Sequence, residues 1–299
     1  MHRTLLGLWQ MSRPLILPSG ALAYFVGTAI AAHNQPPLAW EQQAAGLTLT
    51  MLANLAAHYA DEYADADTDA LACHTGISGG SGAIAAGLAS RQLALQAALV
   101  VSGLTVVGGL WAVASGLLPP AAGVILLIGL AGGWAYSMPP LALERRGWGE
   151  ITNALLGGLF MPLMAYASSR GTPPLTVYLQ LLPIVAAAMT CIIGVHWPDR
   201  VADGLVGKRT LSVILGQRVR WIWWGWIALA YLLPWILPMA IPPTVAWATL
   251  LTLPLGIFVA ARATRAESAW PGGLLMSGLM LAHIIAYSAG ESLLQVVWR

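Results

Sequence analysis

The sequence predicts an all-α integral membrane protein of nine transmembrane helices, and three observations lead there. Only 9% of the residues are charged and 58% are hydrophobic, whereas a soluble domain carries about 25% charged residues. Apolar runs near the roughly 20 residues needed to cross hydrocarbon recur along the chain, including Leu93 to Val113 and Thr244 to Ala261. Of the 14 Lys and Arg residues, all but Arg170 and Arg299 share one side once nine helices are threaded through the bilayer.

The first helix is placed at 15–33. Arg3 and Arg13 precede an apolar stretch from Leu15 to Ala32, longer than the roughly 7–15 residues of a signal-peptide core, so the segment is read as retained. The others follow at 40–60, 92–113, 118–137, 150–168, 175–195, 219–239, 244–262 and 271–290. Connections 34–39, 114–117, 169–174 and 240–243 are short and hold a single basic residue, Arg170, while the alternate connections are long and charged. Excess Lys and Arg marks the cytosolic side of a membrane. The N-terminus and the charged connections are therefore expected inside, and the C-terminus outside. A net charge of +2 with this distribution gives nucleic acid binding no support. Cys73 and Cys191 lie far apart without CxxC spacing, so neither a disulfide framework nor a zinc site is indicated.

Ten of the 12 acidic residues fall on the cytosolic side, mostly in two groups. Asp61, Asp65 and Asp69 follow the second helix at four-residue intervals. Each such step turns a helix only about 40° past a full turn, so the three carboxylates can share one face. Asp199 and Asp203 repeat that spacing after the sixth helix, with Gly207 four residues further on. Acidic residues at helix ends are ordinarily just solvated, but a triad and a pair in matched register on one side of a membrane ask for a cation between them. Mg2+ suits such a place, since it takes one or two carboxylates together with water and phosphate oxygens. A phosphorylated substrate also needs basic partners, and Lys208, Arg209 and Arg13 are nearest, although Lys and Arg at cytosolic helix ends also serve topology. Tyr59, Tyr63, Tyr136 and Trp197 stand near these groups, although interfacial Tyr and Trp are common for other reasons. His58 and His196 are read as interfacial or supporting groups rather than metal ligands. The echo between His58-Tyr-Ala-Asp61 and His196-Trp-Pro-Asp199 hints at two pseudo-repeated four-helix halves plus one helix.

These motifs resemble those of the UbiA superfamily of intramembrane prenyltransferases, which carry NxxxDxxxD after helix two and DxxxDxxxG after helix six. Asp199, Asp203 and Gly207 match the second motif in full. Tyr136-Ser-Met-Pro-Pro140 and Arg146-Gly-Trp-Gly-Glu150 look like the segment ending helix four in quinone-type, menaquinone-like members. The resemblance implies one transmembrane domain over 1–299 with helical bundles around a central cavity. It also implies Mg2+-dependent transfer of a polyprenyl group from a prenyl diphosphate donor to an aromatic acceptor, with membrane lipid around the fold. Carried over residue by residue, Asp65, Asp69, Asp199 and Asp203 become metal-binding and catalytic groups. Asp61 joins them in the place of the usual Asn, and Glu62 stands where an Asp is common. His74 occupies a position often held by Arg, and Leu141 to Leu143 is apolar where relatives often supply a basic residue. The diphosphate would then fall to Arg13, Arg145, Lys208, Arg209 and a protonated His74, and substrate contact to Tyr63, Tyr136 and Trp197. Two other readings use the same residues: a UbiA-type terpene cyclase, which ionises the same donor, and a carrier or cation-handling protein, since intramembrane acids often mark transport paths.

Overall fold

A computed structural model describes residues 2–34, 37–72, 76–265 and 267–289, and among these no strand occurs. The chain opens with α1 (His2–Met11), turns at Arg13 with a positive φ of 51°, and enters α2 (Leu17–Asn34). Then follow α3 (Trp40–Ala64), the single turn α4 (Ala66–Asp69), α5 (Arg91–Ala114) and α6 (Pro120–Ser137). A 3₁₀ turn, Leu143–Arg146, leads to α7 (Gly149–Leu155), which passes through a π-helical turn, Leu156–Phe160, into α8 (Met161–Arg170). The rest comprises α9 (Leu175–Leu205), α10 (Leu211–Leu215), α11 (Val219–Ile236), α12 (Pro243–Leu251), α13 (Leu253–Arg262) and α14 (Trp270–Ala289).

Each predicted span overlaps a helix or a helix pair, with two informative differences. The span predicted at 175–195 ends where hydropathy falls, but α9 runs on to Leu205 through Pro183 and Pro198. Asp199 and Asp203 therefore lie on a helix and not in a loop, and Asp61 likewise lies in the last turn of α3. The carboxylates lie where apolar sequence stops, which need not be where the backbone stops being helical. The second difference is the π turn inside the span predicted at 150–168. There Gly158 meets α9 so closely that a Cβ would lie 2.7 Å from the Val185 Cα. Small residues permit such backbone approach between membrane helices, and Gly27 does the same for α2 against the Pro162 carbonyl, 1.9 Å from where a Cβ would be.

Five helices among the described residues are long and apolar enough to cross a membrane, or six if the α12–α13 pair, bent by 51°, counts as one span. Their burial sorts them. In α9 78% of the apolar window is buried, against 22% in α5 at the same hydropathy of 2.0. An apolar helix that stays exposed, as α5 does at Leu99, Leu104, Val107 and Trp111, needs an apolar surrounding, and lipid supplies it. Helix α9 is the central post. It packs on α7, α11 and α14, so its end positions the second acidic motif.

Candidate active site

A cavity of about 230 Å³ opens where α3, α4 and α9 end. Its rim carries six carboxylates, Asp61, Asp65, Asp69, Glu144, Asp199 and Asp203, and two cations, Arg13 and Lys208. Its depth is apolar, with Leu156, Met161, Ile192, Met276 and Met280.

The first acidic motif stays in register because the backbone barely breaks. Asp65 leaves α3 with φ −98° and ψ 5°, yet its N–H still bonds the Asp61 carbonyl and the Asp69 N–H bonds the Asp65 carbonyl, both at 2.8 Å. Asp61 accepts from the Ser137 hydroxyl at 2.7 Å and pairs with Arg13 at 2.8 Å. Arg13 also holds Glu62 at 3.0 Å, and Glu62 fixes Ser81 through its N–H at 2.9 Å and its hydroxyl at 2.6 Å. That contact anchors a glycine-rich turn over the cavity. Gly79 donates its N–H to Asp199 Oδ2 at 2.9 Å, and Gly80, at φ 68°, lies where any Cβ would come within 2.0 Å of Asp69 Oδ2. The turn thus touches a carboxylate of each acidic motif.

The second motif is a helix ending. At the C-terminus of α9 the Lys208 N–H bonds the Asp203 carbonyl at 2.9 Å and the Gly207 N–H bonds that of Gly204 at 3.3 Å. With Gly207 at φ 77°, this is a Schellman ending, which favours glycine at the left-handed position. The spacing Asp203, Gly207, Lys208 thereby has a mechanical meaning: the glycine folds the lysine back over the second aspartate. The Lys208 ammonium hydrogen-bonds Asp65 and lies 3.2 Å from Glu144 and 4.0 Å from Asp203. Burial opposes the Lys208 charge, but Asp65, Glu144, Asp61 and Asp203 outweigh it and hold the ammonium above its usual range.

Glu144 is a carboxylate outside both sequence motifs. It comes from the 3₁₀ turn, is 2% exposed, and is pressed inward by Gly149, where a Cβ would lie 2.8 Å from the Glu144 Cα. One oxygen each from Asp61, Asp65 and Glu144 lie within 4.8 Å of one another. Two such charges repel by at least about 3.5 kcal/mol at an effective dielectric near 20. Burial, followed by the charge of Asp65, accordingly raises Glu144 well above the carboxylate range. Burial likewise takes Asp69 to about 8, with Arg13 pulling it down and Asp65, Asp61 and Glu62 pushing it further up. Asp65 Oδ1, Glu144 Oε1 and Asp199 Oδ1 are buried without a hydrogen-bond partner. Unsatisfied oxygens from both motifs, in a rim with six acids and two bases, form a donor set that fits a hard divalent cation with room for phosphate oxygens.

The remaining expected residues divide. Tyr136 lines the cavity. Arg145 lies at its edge, 3.5 Å from Asp65, and donates to the Ala64 carbonyl at 3.2 Å. Arg209 is exposed and turned away from the lining. Tyr63 and Trp197 lie outside the cavity lining. Arg91 covers the Tyr63 ring at 4.8 Å, and Trp197, 1% exposed, packs in the core with Arg200 over its ring at 3.9 Å, so neither faces the cavity. Both sit two positions from an aspartate, about 200° around a helix at 3.6 residues per turn. His196, three positions before Asp199, does face the cavity. His74 lies outside the described residues.

Fold and site together define an all-helical membrane protein that gathers two acidic helix ends, an acidic turn and a buried lysine over an apolar pocket. The UbiA prenyltransferase family profile matches residues 21–286, and the chain belongs to that family of prenyltransferases. It is 23% identical over 296 residues to the 1,4-dihydroxy-2-naphthoate octaprenyltransferase of Bacillus subtilis (strain 168), covering 92% of this chain and 93% of that one. A UbiA homolog from Archaeoglobus fulgidus bound to Cd2+ superposes with a TM-score of 0.68 at 15% identity, over 94% of this chain and 99% of the other. The same homolog bound to GPP and Mg2+ gives 0.63 at 16% identity, over 95% and 99%.

Proposed function

We propose that this prenyltransferase uses Mg2+ to take a polyprenyl group from a prenyl diphosphate and joins it to an aromatic acceptor in quinone or prenyl-lipid synthesis. The observation that carries the reading is the convergence of both acidic motifs and Lys208 on one cavity with an apolar depth. The naphthoate prenyltransferase relative supports an aromatic acceptor, and neighbours bound to GPP or DMAPP with Mg2+ support the donor.

In this mechanism Asp65, Asp69, Asp199 and Asp203 would hold the metal, joined by Asp61 and Glu144. When bound, Mg2+ neutralises charge building on the departing diphosphate. Lys208, Arg13 and Arg145 bind the diphosphate oxygens, the lysine exchanging a carboxylate partner for a phosphate one. Tyr136, in the cavity lining, would contact the substrate. The apolar depth receives the first part of the tail, which gains roughly 0.8 kcal/mol per buried methylene. At about 230 Å³ the cavity lies under the usual range of about 300–1,000 Å³ for ligand pockets, so the rest of a long tail passes laterally toward lipid. We assign nine crossings to the single domain 1–299 in two pseudo-repeated halves plus one helix, with the site and N-terminus cytosolic and the C-terminus outside.

Incubation of the purified protein with Mg2+ and prenyl diphosphates, with and without 1,4-dihydroxy-2-naphthoate or 4-hydroxybenzoate, tests the reading by product mass. A prenylated phenol supports it. A cyclised hydrocarbon formed without acceptor would replace it with the cyclase reading.

A further inference from the structure

A second polar cluster reaches the cavity outside the group of Asp61, Asp65 and Glu144. His196 Nδ1 lies 2.9 Å from Glu150 Oε1, and that oxygen also accepts the Leu211 N–H at 2.7 Å. Both side chains are buried, with relative exposures of 10% and 1%. A ring nitrogen facing a carboxylate carries the proton, and the other nitrogen then presents its lone pair. That other nitrogen, Nε2, meets the hydroxyl of Tyr136 at 3.3 Å, and His196 and Tyr136 both line the cavity. The chain therefore already places one phenol on Nε2, its own.

We propose that His196 is a catalytic base which takes the hydroxyl proton of a phenolic acceptor, with Glu150 as its positioning residue. The inference rests on the aromatic-acceptor reading and names the chemical class, a ring bearing a free hydroxyl. The acceptor's hydroxyl replaces that of Tyr136 on Nε2. Its proton moves to the imidazole, and the O–H bonding pair moves into the ring. A ring carbon ortho or para to the oxygen forms the bond to the donor's C1 with a π pair, as the C1–O bond breaks and diphosphate keeps that pair. The resulting dienone regains aromaticity when its ring carbon loses a proton to diphosphate, or a carboxyl group as carbon dioxide, and the oxygen recovers its proton from the imidazolium. Glu150 stabilises that imidazolium, and no oxidant or reductant is consumed. The rim carboxylates are poorly placed for this duty, since each is tied to a cation, to a backbone N–H or to the metal set, whereas Nε2 is held only by an exchangeable hydroxyl.

The test compares wild type, His196→Gln, Glu150→Gln and Glu150→Asp with geranyl diphosphate, Mg2+ and two phenolic probes. One is 4-hydroxybenzoate; the other is its 3-nitro analogue, already ionised in the assay buffer. Prenylated product and diphosphate release are measured separately, with Mn2+ binding as the check on folding. General-base loss typically costs 100- to 10,000-fold. His196→Gln is expected to lose at least about 100-fold on the un-ionised probe and under about 10-fold on the ionised one, with Mn2+ binding unchanged. Glu150→Gln should lower kcat at unchanged donor KM, and Glu150→Asp should recover part of it. Equal losses on both probes, or His196→Gln within about threefold of wild type on both, overturn the proposal while leaving the prenyltransfer reading intact. Should His196→Gln fail the folding check, the two Glu150 variants decide by the same probe comparison. Wild type that releases diphosphate without forming any phenol product overturns the acceptor reading, and this inference with it.

Discussion

Replacing Asp203 by Asn keeps the shape of the side chain and removes only its charge. Asp203 is 3% exposed and its carboxylate lies 4.0 Å from the Lys208 ammonium. The cost to folding is small, because Lys208 keeps the nearer Asp65 and Glu144 and the Schellman ending uses the backbone carbonyl of residue 203, which Asn retains. An attraction of about 4 kcal/mol at 4 Å and a dielectric near 20 is offset by relief from neighbouring carboxylates and by the desolvation that a neutral amide avoids. Unfolding should move by under about 1 kcal/mol, or roughly 2–4 °C. The cost to catalysis is large. Loss of one well-placed electrostatic group in a water-poor site takes about 100- to 1,000-fold from the rate, roughly 2.7–4 kcal/mol. The assay is product formation at saturating donor over several Mg2+ concentrations. Asp67→Asn is the internal control, since Asp67 is exposed and pairs with Arg91 at 3.2 Å outside the cavity; it should stay within about threefold of wild type. Equal activity of the two variants would refute the assignment of Asp203 to the metal.

Two further substitutions probe parts of the site that lie outside the sequence motifs. Glu144→Gln should raise the Mg2+ concentration for half-maximal activity by about 10- to 100-fold, the usual effect of a group that supports metal ligands; an unchanged Mg2+ titration would remove Glu144 from the metal set. Gly80→Ala should cost more activity than Gly87→Ala. Both positions have positive φ, 68° and 65°, but a Cβ at 80 meets Asp69 Oδ2 at 2.0 Å while nothing lies within 4 Å at 87. The backbone penalty of about 1–2 kcal/mol is common to both, so comparing them isolates the effect on Asp69. Equal activity of the two alanine variants would show that the turn does not position that carboxylate.

The parts of the site legible in the sequence are those expressed as helical spacing. Four-residue steps alone put Asp61, Asp65 and Asp69 on one face, and Asp199 with Asp203 on another, because that register survives the small break at Asp65. The helix extension past 195 is not legible, since loss of hydropathy in a membrane protein marks the edge of lipid and not the end of hydrogen bonding. Nearness in sequence is a poor guide to which aromatic residues face the cavity, and it fails at two-residue offsets. Tyr63 and Trp197 point away for that reason, and His196, at an offset of three, points in. Glu144 is hidden because it reaches the cluster by tertiary packing, through a left-handed Ala142 at φ 41° and the close approach at Gly149. A glutamate next to Arg145-Arg146 reads as a solvated charge until that packing is known. The Gly79-Gly80-Ser81-Gly82 run is the sequence signal for the covering turn, and its tie to Asp199 is a long-range contact.

The central claim is that one Mg2+-diphosphate is held between the two acidic motifs, and Mn2+ in place of Mg2+ makes this directly visible. Electron paramagnetic resonance of the purified protein with Mn2+ and a non-ionising thiodiphosphate analogue of the donor should show phosphorus hyperfine coupling to the bound metal. That coupling should disappear or fall sharply in both Asp65→Asn and Asp199→Asn, one residue from each motif. Coupling that survives both substitutions, or Mn2+ bound at Asp65 and Glu144 with no phosphorus coupling at all, would contradict the claim.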